Sequence, residues 1–286
     1  QWKRLIRFVA KEDGHTYLGE PIQASIDVGL STQIEANVLD TSSALTATTH
    51  TGKVKTVSKL LSPLAPEEVS VSRFLGLNYK DHAEECGMEQ PRAPILFYKP
   101  PTSLSGPGEA IPIPTVSQPS SRFLVDYEAE FVAVLGRAAK NVSADDALKY
   151  VLGYSLGNDV SVRRHQGTTS QWGFSKSFDG SAPWGPALVN AELVDPQNVR
   201  IGASVNGNVL QDGNTSKQIF GLAETIAFLS QGTTLLPGSL IWTGTPAGVG
   251  FSRRPPITLN DGDKVNIFAD STFGTLCNTV KNDGNK

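Results

Sequence analysis

Cysteine is scarce in this chain: Cys86 and Cys277 are the only two among 286 residues. Two cysteines exclude a disulfide-rich scaffold. Neither lies in a CxxC pair, so free thiols in a reducing compartment are expected. Long apolar runs are missing too. No stretch of about 18 apolar residues occurs, and the N-terminus has no signal-peptide h-region, so no membrane partner is expected. Basic tracts are absent as well. With a formal net charge of -3 and a pI near 5.9, nothing in the electrostatics calls for nucleic acid. Together these absences make a cytoplasmic protein the first expectation. Gln1 in place of Met leaves a removed targeting segment open, and with it a mitochondrial location.

Glycine and proline, by contrast, are plentiful at 27 and 18 residues. Between them lie many short β-type segments, which reads as a β-rich α+β protein. Residues 1–66 form weakly patterned alternating segments that end in the Pro-marked stretch 61–66. They read as a small β-containing N-terminal module, with residues 67–286 as the part that carries the chemistry.

The segment Val125-Asp-Tyr-Glu-Ala-Glu-Phe-Val-Ala-Val-Leu135 has a strand composition. On one continuous strand Glu128 and Glu130 project from the same face and repel each other unless something positive lies between them. A divalent cation is the economical choice, since hard oxygen ligands suit Mg2+, Mn2+ or Ca2+. A solvated outer face of an antiparallel strand is the plain alternative. Downstream, Ser143 and Asp146 form an N-capping signature for a short helix. Residues 151–159 then read as a second strand ending in Asp159, and this strand–helix–strand unit can place Asp159 beside the two glutamates. Asp126 would be a fourth carboxylate on one ion, so it is assigned to hydrogen bonding around the cluster.

Residues 78–87 predict a two-turn helix stopped by Gly87. His82 and Glu85, three apart, share a face and can hold a water and take its proton, or simply be solvated. Lys99 ends a strand before Pro100-Pro101, where it can meet a substrate carboxylate or face solvent. Lys176 has a strongly apolar, Gly-bounded context that calls for a carboxylate partner or exposure. Asn206-Gly207 predicts a type I′ hairpin, and 219–230 a core-packing helix. The Gly-rich loop 243–250 lacks both GK[ST] and GxGxxG, so it is no nucleotide cradle, but its amides can hold a carboxylate or enolate oxygen.

Five segments in order, Gly76-Leu-Asn-Tyr-Lys-Asp-His82, Val125-Asp-Tyr-Glu-Ala-Glu130, Gly153-Tyr-Ser-Leu-Gly-Asn-Asp159, Lys176-Ser-Phe-Asp179 and Thr243-Gly-Thr-Pro-Ala-Gly-Val-Gly250, resemble the fumarylacetoacetate hydrolase family. The resemblance is in particular to its smaller members of the acylpyruvate hydrolase, oxaloacetate decarboxylase and oxaloacetate tautomerase type. The resemblance implies a mixed β-roll core with short helices and a lid, usually in a homodimer. It implies a divalent metal on Glu128, Glu130 and Asp159, a lid pair His82 and Glu85, and Lys176 as the site lysine. Lys99, Arg163, Gln166 and Thr245 match positions that contact substrate oxygens. Arg164-His165 departs from the family pattern, where Asp commonly follows the site arginine; Arg164 is expected to face solvent.

The implied function is hydrolysis of a C–C bond in an acylpyruvate-like 1,3-dicarbonyl acid through a metal-held enolate, with a small-molecule keto acid as the partner. Oxaloacetate decarboxylation or keto–enol tautomerisation uses the same enolate. An isomerase or tailoring enzyme of specialised metabolism, a non-catalytic metal-stabilised binding protein and a calcium-stabilised β protein are the other readings.

Overall fold

The computed structural model describes residues 2–46 and 48–284; Gln1, Ala47, Asn285 and Lys286, and the expectation that rests on Gln1, lie outside them. Four strands come first: β1 (Arg4–Ala10), β2 (Thr16–Pro21), β3 (Glu35–Leu39) and β4 (His50–Leu61). Then follow β5 (Ser72–Gly76), α1 (Lys80–Glu85), β6 (Ile95–Lys99), β7 (Leu104–Ser105), β8 (Ala110–Ile113), α2 (Ser120–Phe123), β9 (Val125–Asp126) and β10 (Ala129–Leu135). The middle of the chain holds α3 (Ala144–Ala147), β11 (Val151–Asn158), β12 (Ser161–Val162), α4 (Arg163–Gln166), α5 (Gly173–Lys176) and β13 (Ala182–Asn190). It closes with β14 (Arg200–Val205), β15 (Asn208–Asn214), α6 (Leu222–Leu229), β16 (Leu240–Trp242), β17 (Lys264–Phe268) and β18 (Leu276–Asn282). The outcome is β-rich with a few short helices, as the composition predicted.

An 11-stranded sheet runs β2-β3-β4-β1-β13-β11-β10-β16-β5-β6, with β7 beside β13. It is mixed: β16 pairs β5 in parallel, whereas β10 lies antiparallel to both β11 and β16. A five-stranded sheet, β15-β14-β17-β18-β8, packs against it. Strand β10 sits between two apolar layers, and its alternation divides them. Phe131, Ala133 and Leu135 join Tyr154, Ile201 and Ile267 on one side. Val132 and Val134 join Phe74, Trp184 and Trp242 on the other. Glu130 shares the face of Val132 and Val134 and is fully buried there. A carboxylate has no place in such a layer unless charge or hydrogen bonds meet it.

Two local expectations stand as read. Asn206 and Gly207 both take positive φ, 51° and 82°, between paired β14 and β15, as a type I′ turn requires. Ser143 caps α3 by accepting from the Asp146 amide. The expected unbroken strand over 125–135 is corrected. Val125–Asp126 pairs with β12, the chain then steps across Tyr127 and Glu128, and pairing with β11 begins at Ala129. Asp126 causes the step. It accepts from the amides of Tyr127, Gly250 and Phe251, which pulls its end of the segment out of the large sheet.

Candidate active site

Because of that step Glu128 stands just before β10 rather than on it. Its amide donates to Asn158 Oδ1 at 3.0 Å, and its carbonyl accepts from the Asp159 amide at 2.9 Å. These bonds bring the end of β11 onto the start of β10. As a result carboxylate oxygens of Glu128, Glu130 and Asp159 all come within 4.8 Å of one another. Glutamates expected on one strand face therefore do converge, but through a kink and not through alternation.

Cations meet this cluster from two sides. Lys176, at the end of α5, donates to Glu128 Oε2 at 2.9 Å, Asp159 Oδ2 at 2.6 Å and Ser161 Oγ at 2.7 Å. Arg163, at the start of α4, donates from Nε to Asp126 at 2.9 Å and from Nη1 to Glu128 and Gln166. Lys99 comes from behind. Its ammonium donates to the carbonyls of Val160 and Ser181, and lies 2.6 Å from Asp159 Oδ1 at an angle too poor for a hydrogen bond. Among the described residues Glu130 receives only one bond, from the Gly244 amide at 2.9 Å, and its Oε1 has no partner. Gly244 can present that amide because its φ is 84°, and a Cβ there would press within 2.8 Å of Asn78 Cβ.

The acid–base consequences are opposite for neighbouring glutamates. Burial alone would raise Glu128, but Lys176 and Arg163 outweigh it and hold this carboxyl well below its usual range. Burial raises Glu130, and the charges of Asp159 and Glu128 add to it, so Glu130 lies well above the usual range. Four carboxylates, counting Asp126, face three cationic side chains. One positive charge is wanting, and it is wanting at Glu130. Three buried oxygen donors with an unpaired oxygen among them form a hard-ligand set that could bind a divalent cation.

Across the cavity stands the His82–Glu85 pair, with His82 Nδ1 3.1 Å from Glu85 Oε2. Helix α1 is only six residues long and is held at its base by Asn78, whose side chain bonds Phe220 and Thr243 backbone. Glu85 is fixed by the Gly248 amide at 2.9 Å. Burial would lower the imidazole pKa, but contact with Cys86 and Glu85 prevails and raises it to about 9.

A cavity of about 600 Å³ joins the two clusters. His82, Glu128, Arg163, Gln166, Lys176 and Thr245 line it; Glu130, Asp159 and Lys99 lie behind its wall. Thr245 accepts from Gln211 at 2.8 Å, which leaves its hydroxyl proton free to turn toward the cavity. Arg164 is exposed, as expected, yet it also rims the cavity mouth. Most of the remaining wall is apolar, from Leu75, Leu77, Met88, Leu124, Trp172 and Phe251, with Cys86 and Thr168 beside them. None of the six apolar residues was singled out in the sequence, nor were Asn158, Ser161 and Gln211, which brace the carboxylates. Leu77 and Asn158 alone carried a signal, as members of the segments that resemble the family.

A buried carboxylate cluster with a histidine–glutamate pair across a cavity is an arrangement suited to hydrolytic or enolising chemistry. The fumarylacetoacetate (FAA) hydrolase C-terminal family model matches residues 73–281, and the chain belongs to that family of enzymes. It is 49% identical to caffeoylpyruvate hydrolase of Neonothopanus nambi over 286 residues, covering 98% of this chain and 93% of that protein. Mitochondrial oxaloacetate tautomerase Fahd2a of Rattus norvegicus is 39% identical over 208 residues, 72% of this chain and 64% of its own length. In structure, the 2-hydroxyhepta-2,4-diene-1,7-dioate isomerase of Mycobacterium marinum matches with a TM-score of 0.80 at 33% identity, covering 99% of both chains.

Proposed function

We propose that this enzyme hydrolyses the C–C bond of an acylpyruvate whose acyl group is large and apolar, best matched by an aromatic acyl chain.

 The single observation that carries this reading is the unpaired Glu130 oxygen beside Asp159 and Glu128, the last of which lines an apolar-walled cavity together with His82. A divalent cation bound by Glu128, Glu130 and Asp159, with Mg2+ first and Mn2+ or Ca2+ next, would supply Lewis-acid stabilisation of negative charge on the α-keto acid end.

The chain's own residues do the rest. Arg163 and Lys176 hold the substrate's carboxylate end by charge, and Gln166 and Thr245 orient its oxygens. Lys99, which does not reach the cavity, acts by balancing Asp159. Neutral His82, oriented by Glu85, takes a proton from water, and the hydroxide adds to the acyl carbonyl. The C–C bond then breaks, its electron pair passes to the pyruvate fragment as an enolate, and reprotonation at carbon gives pyruvate and a carboxylic acid. In this reading α1 is the lid, residues 67–286 form the mixed β-roll that carries the chemistry, and residues 1–66 are a small module attached through β1 and β13. The assembly is a homodimer, which light scattering tests. Location is cytoplasmic or mitochondrial; the rat relative is named mitochondrial, and no described helix is long and apolar enough to cross a membrane.

The apolar wall separates hydrolysis of a larger substrate from oxaloacetate chemistry. Trp172 and Phe251 suit an aromatic acyl group such as the caffeoyl group in the fungal relative's name. Oxaloacetate, with a second carboxylate and no apolar part, leaves that wall unused. An NMR time course with caffeoylpyruvate and with oxaloacetate, each with Mg2+ and with EDTA, tests the reading. Pyruvate and caffeate formed only with Mg2+ support it. Enol–keto exchange or carbon dioxide release from oxaloacetate alone replaces it with a tautomerase or decarboxylase.

A further inference from the structure

A second set of metal-type ligands lies outside the carboxylate cluster. His82, Glu85 and Cys86 stand at positions i, i+3 and i+4 of one helical turn, a spacing that stacks side chains on one face. One ligand atom from each lies within 4.8 Å of the other two. His82 Nδ1 is 3.1 Å from Glu85 Oε2 and 3.7 Å from Cys86 Sγ. A tetrahedral zinc ion, about 2.3 Å from sulfur and about 2.0 Å from nitrogen and oxygen, separates N from O by about 3.3 Å and N from S by about 3.5 Å. The turn already holds both pairs near those separations, and Cys86 Sγ, which is also 3.9 Å from Nε2, needs a side-chain rotation to leave the face of the ring for the side of Nδ1. The Gly248 amide steadies the Glu85 carboxylate from behind, as outer partners do around metal ligands. The donors also differ in kind from the carboxylate cluster: thiolate and imidazole favour zinc over magnesium.

We propose that His82, Glu85 and Cys86 form an inhibitory zinc site at the cavity rim. The ion takes the imidazole Nδ1, one Glu85 oxygen and the Cys86 thiolate, with water in the fourth position, and the thiol proton leaves to solvent. Inhibition rests on the reading of His82 and Glu85 as the proton-transfer pair: zinc occupies both while magnesium stays on the three carboxylates. Binding itself does not depend on that reading.

The test uses Cd2+ alone as the optical probe, titrated into the full chain in excess Mg2+, with thiolate-to-metal charge-transfer absorption as the readout. The expected band saturates at one cadmium per chain, vanishes in Cys86→Ser and persists in Cys277→Ser. Zinc inhibition, scored against each protein's own zinc-free rate, weakens in Cys86→Ser by more than the roughly tenfold that loss of even an outer partner costs. A band that is missing from the unaltered chain, or that survives in Cys86→Ser, overturns the site. So does zinc inhibition of equal strength in Cys86→Ser, which places the ion on the three carboxylates. A Cys86-dependent band in a protein that turns over no acylpyruvate upholds the site and defeats only the proposed reaction.

Discussion

Glu128, Glu130 and Asp159 sit at the seam of two central strands, buried and clamped by lysine, arginine and backbone. His82 and Glu85 sit on a six-residue helix that has three anchors: the Asn78 side chain, the Gly248 amide and an isolated bridge from Tyr79 to Gln218. So short a helix is marginal without tertiary support. The carboxylates are placed by the part of the molecule that is costliest to deform, and the pair proposed for proton transfer by a part that is cheap to move. Charge has to be held rigidly because burial magnifies every misplacement. A pair that must admit water and substrate gains from standing on a movable support.

Substitutions at each end should separate the two. Glu130→Gln should lower turnover the most, by roughly 10⁴-fold, if Lewis-acid stabilisation is worth several kcal/mol. It should at the same time raise the melting midpoint of EDTA-treated protein, since it removes a buried, repelled carboxyl. Calorimetry alongside steady-state kinetics checks both, and a fully active variant would sink the assignment. His82→Gln should cost roughly 10²- to 10⁴-fold in kcat yet leave magnesium binding by isothermal titration unchanged. Loss of both would mean that the two regions are not separable.

The pH dependence sharpens the comparison further. Because His82 in the folded enzyme titrates near 9, kcat/KM should climb about tenfold per pH unit below that value and level off above it. Stability moves the other way. The raised pKa stabilises the fold fully below about 6.5, the value of a free imidazole, and that contribution is lost as pH rises through about 9. His82→Gln should flatten both profiles. The smallest effect expected is on melting: saturating magnesium should add about 3 kcal/mol at a hundredfold excess over Kd to the unaltered chain and none to Glu130→Gln.

Much of this was legible in the chain because chemistry had been written into contiguous stretches. The Asp126 to Glu130 run, Asp159 and the His82–Glu85 spacing each stood out as candidates, and Lys176 in so apolar a setting called for a carboxylate partner or exposure. The kink at Tyr127–Glu128 was not legible, because it depends on amides of Gly250 and Phe251 more than a hundred residues away. Lys99 looked like a strand-end lysine reaching for substrate, but the structure turns it inward onto Val160 and Ser181 carbonyls. The apolar wall was invisible for the same reason: Leu75, Leu124, Trp172 and Phe251 come from four separate segments, and none is unusual in its own surroundings.

That scattered wall bears on how such an enzyme can diverge. Apart from Leu75 on β5, its side chains come from connecting segments, and Phe251 is tied to Asp126 through its backbone amide while its ring lies 4.6 Å from the Arg163 guanidinium. Exchanging the side chain leaves the hydrogen bond in place. Loops tolerate such exchanges better than core strands do. A lineage can therefore drift from one acyl group to another by single steps that leave the carboxylates, their lysines and the overall fold untouched, with each intermediate still active on something.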